Sequence, residues 1–232
     1  FLASEKKSSG QNVITNNKNM EIIFHKIKKN LAIQIKKILG SKNVYRDSIS
    51  FFKSNLLEKI KIIQPDILNM HWICNEMLSI EQLKKIDLPT VWTVGDMWPF
   101  VGAQHYSERS IFFTDGKKKI FNNFKFDIDA WVFNRKLKSY QENFHIITVS
   151  KWLEQKARSS VLFRKNKIDT IPCTIDTDEW KPVEKKIAKE NLNLNINKKY
   201  LLFSSVHGID DYRKGFDILF RCLNNLKKSK IQ

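Results

Sequence analysis

The chain has 232 residues, 42% of them hydrophobic and 12% aromatic, so it can bury a core, and this composition excludes an intrinsically disordered chain. Its 41 Lys and Arg residues outnumber its 24 Asp and Glu residues, and the net charge of +17 predicts either a solvated Lys-rich surface or anionic partners such as nucleic acid, lipid head groups or nucleotide phosphates. The three cysteines lie far apart and do not support a disulfide scaffold or a zinc site, and the longest apolar stretches are too short to span a bilayer.

The first predicted element is an amphipathic helix from Met20 to Leu39, which Gly40 closes. Its apolar residues recur near helical spacing and its polar face is rich in Lys, so the helix can either pack against a core or lie on an anionic membrane. The residues before it are polar, and the start is not a signal peptide. Because the chain begins with Phe1 rather than Met, we expect it to begin within a longer protein.

From Ser48 onward the sequence alternates between helical patterns and short apolar runs. This alternation predicts a parallel sheet with right-handed crossovers, which is a Rossmann-like α/β layer. A long irregular stretch, 95–126, interrupts it. The predicted elements are helix 56–63, strand 67–73, helix 80–86, strand 88–94, helix 130–143, strand 144–149, helix 151–159 and strand 168–171.

A polar stretch after Pro172 separates this layer from a further strand, Tyr200–Ser205, and a helix, Gly215–Leu226. One strand and one helix cannot bury both of their faces, so we interpret them as the opening of a second domain. The predicted organisation is a first domain at 1–180 that is incomplete at its start, a linker at 181–198, and the first βα unit of a second Rossmann-like domain at 199–232.

The densest group of polar and aromatic residues follows the strand that ends at Val94. Ligands bind at the carboxyl ends of the strands in parallel sheets, so this loop is a candidate site. Asp96 and His105 offer a carboxylate and an imidazole, while Trp98 and Tyr106 offer aromatic faces that suit a sugar. The same composition also suits a local packed cluster, and composition alone does not choose between the two.

The stretch from Trp92 to Tyr106, with its core Asp-Met-Trp-Pro-Phe, resembles the Thr-Leu-His-Asp-Met-Trp-Pro-Phe-Thr-Gly-x-Cys-His-Tyr signature of family 4 glycosyltransferases of exopolysaccharide synthesis. The segments Asp66–Trp72, Val149–Leu153 and Ile171–Thr177 are similar to that family in the same order. With the Arg213–Phe216 segment, the likeness runs from about Asp66 to Leu226.

A second cluster, Asp210–Phe216, opens the last predicted helix. Two cations beside the N–H groups of a helix N-terminus form a site for a diphosphate, although a Lys-Gly pair in this position is more often a solvated cap. The family resemblance assigns the donor's phosphates to Lys214 and Arg213.

The resemblance implies a two-domain GT-B fold and a retaining glycosyltransferase that moves a sugar from a nucleotide-diphosphate donor to a glycan or lipid-linked acceptor. It implies no metal and no cofactor, and it suggests a cytoplasmic protein in peripheral contact with an anionic membrane. Asp96 and His105 are then the candidate catalytic residues. The acceptor-side cleft is assigned to His71, Trp98, Tyr106 and Ser150.

Several positions depart from the family pattern. Gly95 stands where the family has a His at the reacting sugar, Gln104 replaces a Cys, and Cys173-Thr174 replace Asn-Gly. The alternatives are therefore an inactive glycan-binding relative of the same fold and a basic nucleic-acid-binding protein, although no nucleic-acid reading element is evident. The acidic element that grips the donor in the family is expected beyond Gln232, so we expect the isolated chain not to turn over.

Overall fold

The computed structural model describes residues 2–3, 14–15, 19–41, 47–107, 109–122, 124–205, 209 and 211–228. The chain divides into two compact units, Phe1–Thr174 and Ile175–Gln232. In the first unit the described helices are α1 (Asn19–Ile38), α2 (Leu56–Ile63), α3 (Ile80–Leu83), α4 (Ile128–Ser139) and α5 (Lys151–Ser159). Its described strands are β1 (Leu2–Ala3), β2 (Ile14–Thr15), β3 (Leu68–Met70), β4 (Thr90–Val94), β5 (Phe121–Asn122), β6 (Lys125–Phe126), β7 (His145–Thr148) and β8 (Ile168–Thr170).

The first unit is built on a four-stranded parallel sheet in the order β3-β4-β7-β8. Leu68 pairs with Thr90, Val91 with His145, and Ile146 with Ile168. The predicted α/β class with a parallel sheet is confirmed, and this sheet is compatible with a Rossmann-like fold. Because all four strands run in the same direction, the loops that follow them emerge at one edge of the sheet, where ligands bind in such folds.

The core is centred on Trp92 of β4, which is buried together with Val94. The Trp92 ring makes edge contacts with Tyr140, Phe144 and Phe163 at centroid distances of 5.4, 5.9 and 5.7 Å. These large rings bury much apolar area and favour this T-shaped geometry. They fix β4, whose last residue leads into the candidate site.

Helix α1 packs through an unexpected face. Its buried positions are His25, Ala32 and Lys36, while Ile35 and Leu39 at its end pack against the core. The rest of its apolar stripe points to solvent; the exposed residues are Met20, Ile23, Phe24, Ile27 and Leu31. The helix therefore presents a row of apolar side chains away from the unit that it belongs to.

The second unit contains α6 (Lys185–Asn191) and α7 (Phe216–Lys228). Helix α6 lies inside the predicted linker, where Lys, Ala and Glu are good helix formers. The predicted strand Tyr200–Ser205 is wrong, because these residues form no strand. Among the described residues of this unit there is no neighbouring strand that could take their backbone hydrogen bonds. Phe203 instead contacts the ring of Phe216 at 5.1 Å.

The second half of a two-domain GT-B architecture is not established by these two helices. Within the part of the chain that the structure describes, no helix has both the length and the apolar character needed to cross a bilayer.

Candidate functional site

The loop that leaves β4 folds back on itself through two hydrogen bonds. The Asp96 carboxylate accepts from the backbone N–H of Trp98 at 3.0 Å, and this turn leads into a short 3-10 helix, Trp98–Phe100. The N–H of Met97 then donates to the carbonyl of His105 at 2.9 Å. This second bond returns the chain to its starting point, so the eight residues between Asp96 and His105 form a closed loop at the carboxyl end of β4.

Asp96 and His105 are in direct contact. Oδ2 of Asp96 lies 2.6 Å from Nδ1 of His105, and each side chain is only 15% exposed. Because an ionised carboxylate can only accept, Nδ1 carries the proton in this pair. In the neutral imidazole the other nitrogen, Nε2, is then an acceptor.

Nε2 of His105 faces the hydroxyl of Ser48 at 2.9 Å. The hydroxyl can donate to the nitrogen lone pair, which gives a hydrogen-bonded chain Ser48–His105–Asp96. This is the arrangement in which an imidazole can take up a proton while a carboxylate stabilises the resulting cation. Sequence analysis missed Ser48, which precedes His105 by 57 residues and carries no local signal.

The loop itself holds Ser48 in place. Its N–H donates to the carbonyl of Ala103 at 2.8 Å, and its carbonyl accepts from the indole N–H of Trp98 at 2.8 Å. The buried thiol of Cys74 also interacts with Ser48. Burial raises the pKa of Cys74 well above its ordinary value, so Cys74 is a neutral thiol at this site.

Two indole rings lie close to the imidazole. The buried Trp98 ring is stacked on His105 with centroids 6.5 Å apart, and the Trp72 ring is tilted at 6.0 Å. Trp72 is 53% exposed, so it offers an accessible aromatic face next to the Asp96–His105 pair. An aromatic face beside polar groups is suited to a ligand with both C–H and hydroxyl surfaces.

A buried lysine anchors the loop after β4 through hydrogen bonds to its backbone. Nζ of Lys136, on α4, donates to the carbonyls of Trp98, Val101 and Gly102 and lies 3.9 Å from the centre of the Trp98 ring. Burial lowers the pKa of Lys136 well below its ordinary value. However, three carbonyl acceptors match the three N–H donors of an ammonium group, whereas an amine lone pair would face one of these oxygens. We therefore assign Lys136 as protonated.

Asp129, also on α4, is the second anchor of the loop. Its Oδ1 accepts from the N–H groups of Ala103 and Gln104 at 2.8 and 3.2 Å, and its Oδ2 accepts from Arg109 at 3.1 Å. The approach is so close that a Cβ atom at Gly102 would lie 2.6 Å from Cβ of Asp129 and 2.7 Å from its Cα. Position 102 therefore has no room for any residue other than glycine.

We expect Gly102→Ala to lower the free energy of unfolding by about 1–3 kcal/mol, the usual effect of overpacking a tight contact. Gly95→Ala is the matched control in the same loop, because a Cβ at Gly95 meets nothing within 4 Å. Urea denaturation followed by circular dichroism measures both variants. Equal stability of the two variants would contradict the contact between Gly102 and Asp129.

The remaining predicted residues of the acceptor side have different surroundings. Ser150 caps α5, since its hydroxyl accepts from the N–H of Leu153 at 3.2 Å, which gives it a structural role. Tyr106, next to His105, is 43% exposed. His71 is exposed and directly precedes Trp72. The loops after β3 and β4 thus hold His71, Trp98 and Tyr106, whereas Ser150 begins the helix after β7.

The two predicted phosphate ligands belong to the second unit. Arg213 donates from Nε and Nη2 to both carboxylate oxygens of Asp211, at 3.0 and 2.8 Å, and the Asp211 side chain is fully buried. The Arg213 charge is thus balanced within the unit. Lys214 is exposed, and Gly215 follows it with a φ of +70°, a conformation that glycine adopts readily, before α7 begins at Phe216. Of the two cations, Lys214 is better placed for an external anion.

In the described part of the chain, no group of three or more His, Cys, Asp or Glu side chains is arranged to hold a metal ion. Comparisons of the chain with protein-family models, with curated proteins and with solved structures found no match in any of the three.

Proposed function

We propose that the chain is the acceptor-side part of a retaining glycosyltransferase, which moves a sugar from a nucleotide-diphosphate donor to a glycan or lipid-linked acceptor in the synthesis of cell-surface polysaccharide. The observation that supports this proposal best is the Ser48–His105–Asp96 chain of hydrogen bonds in the loop after β4. The accessible Trp72 ring beside it suits the apolar face of a sugar.

The chemistry follows from the contacts of each group. His105 accepts the proton of the acceptor hydroxyl, directly or through a neighbour, and Asp96 stabilises the imidazolium that forms. The departing nucleoside diphosphate develops negative charge, which an exposed cation such as Lys214 stabilises. Because Arg213 is paired with Asp211, we assign it a smaller share of this task.

The test is to restore the family's histidine at position 95. In the full-length protein that contains this chain, we expect Gly95→His to raise the rate of nucleoside diphosphate release by about 10- to 100-fold, a typical effect of one well-placed polar group. The donor is first chosen by a thermal-shift screen of nucleotide sugars. A histidine fits because a Cβ at Gly95 has open space around it.

The control for this experiment is Gly95→Ala, which adds a Cβ without an imidazole. If neither the wild-type protein nor Gly95→His releases nucleoside diphosphate from any donor, the proposed transfer reaction is wrong.

Peripheral contact with an anionic membrane at the cytoplasmic face remains a prediction. It is supported by the exposed stripe of α1 and by Lys26 and Lys37, which are exposed on the same helix. An apolar stripe beside lysines suits the boundary between anionic head groups and acyl chains.

A further inference from the structure

A cavity of about 160 Å³ adjoins the candidate site, with which it shares Ser48. Three parts of the first unit form its walls: one face of α1, the segment Asp47–Ser48, and the turn Asn75–Glu76 that follows β3. The α1 residues that line it are Lys29, Ala32, Ile33 and Lys36. Since a cavity of about 150 Å³ holds a molecule of the size of benzene, this one has room for a single six-membered ring.

The polar groups of the cavity are fixed by the surrounding backbone. The buried Lys36 donates from Nζ to the carbonyl of Asp47 at 2.7 Å, which occupies one of its three donors. Oε2 of the buried Glu76 accepts from the N–H groups of Phe51 and Phe52 at 2.6 and 2.8 Å. A donor and an acceptor are thus held rigidly at the wall.

The turn Asn75–Glu76 has an unusual backbone conformation. Both residues lie in the left-handed region, with φ values of 55° and 59°. Asn tolerates this region, but Glu does not favour it, and such strain is often found at ligand sites. The strained turn brings Asn75 and Glu76 to the cavity that Lys29 and Lys36 line from the opposite element.

The charges of the cavity are balanced. Burial raises the pKa of Asp47 and of Glu76 and lowers the pKa of Lys36. The wall nevertheless carries two lysines and two carboxyl groups, so a simple anion or cation would meet a group of like charge on one side. A neutral ligand with several hydroxyls satisfies both kinds of group, since each hydroxyl both donates and accepts.

Ser48 connects this cavity to the catalytic pair. It is a wall residue of the cavity, and its hydroxyl is 2.9 Å from Nε2 of His105. A hydroxyl of a ring in the cavity can thus reach His105 through Ser48, although His105 itself is not a wall residue.

We propose that this cavity binds one six-membered, polyhydroxylated ring of the acceptor, and that Ser48 relays the proton of its attacking hydroxyl to His105. The identity of the ligand as an acceptor rests on the proposed function. In the relay, the acceptor O–H gives its proton to Oγ of Ser48 while Ser48 gives its own proton to Nε2. The freed electron pair on the acceptor oxygen bonds to the anomeric carbon of the donor, and the bond from that carbon to the diphosphate oxygen breaks with its electron pair leaving on the nucleoside diphosphate.

Binding is tested with the 232-residue chain and methyl pyranosides of the gluco, galacto and manno series, by saturation-transfer NMR. We expect millimolar binding of at least one of them. Lys36→Met should weaken it by about tenfold or more, as expected for the loss of one hydrogen bond to a charged group. Lys37→Met, on the exposed side of the same helix, is the matched control and should leave the affinity unchanged.

Asn75→Gly is a second variant that keeps the left-handed backbone and removes the side chain. It should weaken binding several-fold even if Lys36→Met proves unstable in thermal unfolding. If no pyranoside binds, or if binding is the same in Asn75→Gly and in the folded Lys36→Met chain as in the wild type, the cavity is not a sugar site. Transfer by the full-length protein would then still support the proposed function.

The relay has a separate readout in the full-length protein. Ser48→Ala should lower kcat by about 10²-fold with little change in KM, whereas Asn75→Gly should raise KM. A Ser48→Ala enzyme with unchanged kcat would overturn the relay. Pyranoside binding by the chain without any transfer by the full-length protein would instead refute the proposed function and, with it, the assignment of the ring as an acceptor.

Discussion

On the proposed transferase function, replacing His105 by alanine is expected to lower the rate of sugar transfer by about 10²- to 10⁴-fold, the usual contribution of a positioned general base. His105 contacts Asp96 through Nδ1 and Ser48 through Nε2. The variant therefore removes the hydrogen-bonded connection between the Asp96 carboxylate and the Ser48 hydroxyl. The carbonyl of His105 that closes the loop onto Met97 is a backbone group and is retained. The measurement is kcat for nucleoside diphosphate release by the full-length protein.

The chain offers a matched control for this experiment. Nε2 of His145 lies 2.7 Å from Oδ2 of Asp169, which is a second His–Asp pair, but it joins β7 to β8 and is more exposed. His145→Ala should therefore leave the rate within about twofold of wild type, since changes away from a reacting centre leave the barrier unaltered. If His105→Ala were as active as His145→Ala, the Asp96–His105 pair would be structural and not catalytic.

Lys136→Met should be the most destabilising substitution in the loop region, with a loss of about 3–5 kcal/mol in the free energy of unfolding. The substitution keeps the length and the apolar stem of the side chain but leaves the carbonyls of Trp98, Val101 and Gly102 without their shared donor. Each buried acceptor that loses its partner costs about 1 kcal/mol or more. The cation–π contact with Trp98 is lost as well.

Urea denaturation of the 232-residue chain measures this loss. Lys138→Met is the control, because Lys138 lies on the same helix and is exposed, and it should change the stability by less than about 0.5 kcal/mol. A loss below about 1 kcal/mol for Lys136→Met would show that water or another donor satisfies the three carbonyls, and that the loop does not depend on α4.

Local sequence patterns were sufficient to predict the sheet of the first unit. Helices Leu56–Ile63 and Lys151–Ser159 have the predicted bounds, and the four strands of the sheet lie within the predicted runs. These elements depend on apolar spacing and on end signals such as the Ser150 cap, which are encoded within a few residues. The sequence also predicts Asp96 and His105 of one loop as candidate site residues, and the structure places them in contact.

Other features depend on distant parts of the chain and could not be predicted from local patterns. Ser48 reaches the site across 57 residues, and Lys136 reads as one of many surface lysines on a helix, although it is buried under the loop. The segment Tyr200–Ser205 has the apolar pattern of a buried strand. A strand, however, forms only where a neighbouring strand takes its backbone hydrogen bonds. The side of α1 that packs was not predictable either, because the apolar stripe is the side that local patterns favour for packing, whereas the buried positions are His25, Ala32 and Lys36.

Helix α1 is one continuous helix with two opposite surfaces. One surface lines the cavity through Lys29 and Lys36, and the other displays the apolar stripe that contains Ile23 and Ile27. A ring that displaced the helix as it entered the cavity would therefore also move the stripe. Thermodynamic linkage makes this effect mutual, so a lipid surface that binds the stripe would alter the affinity for the ring by the same factor by which the ring alters attachment to the surface. Binding of the acceptor ring and attachment to a lipid surface would then be coupled equilibria.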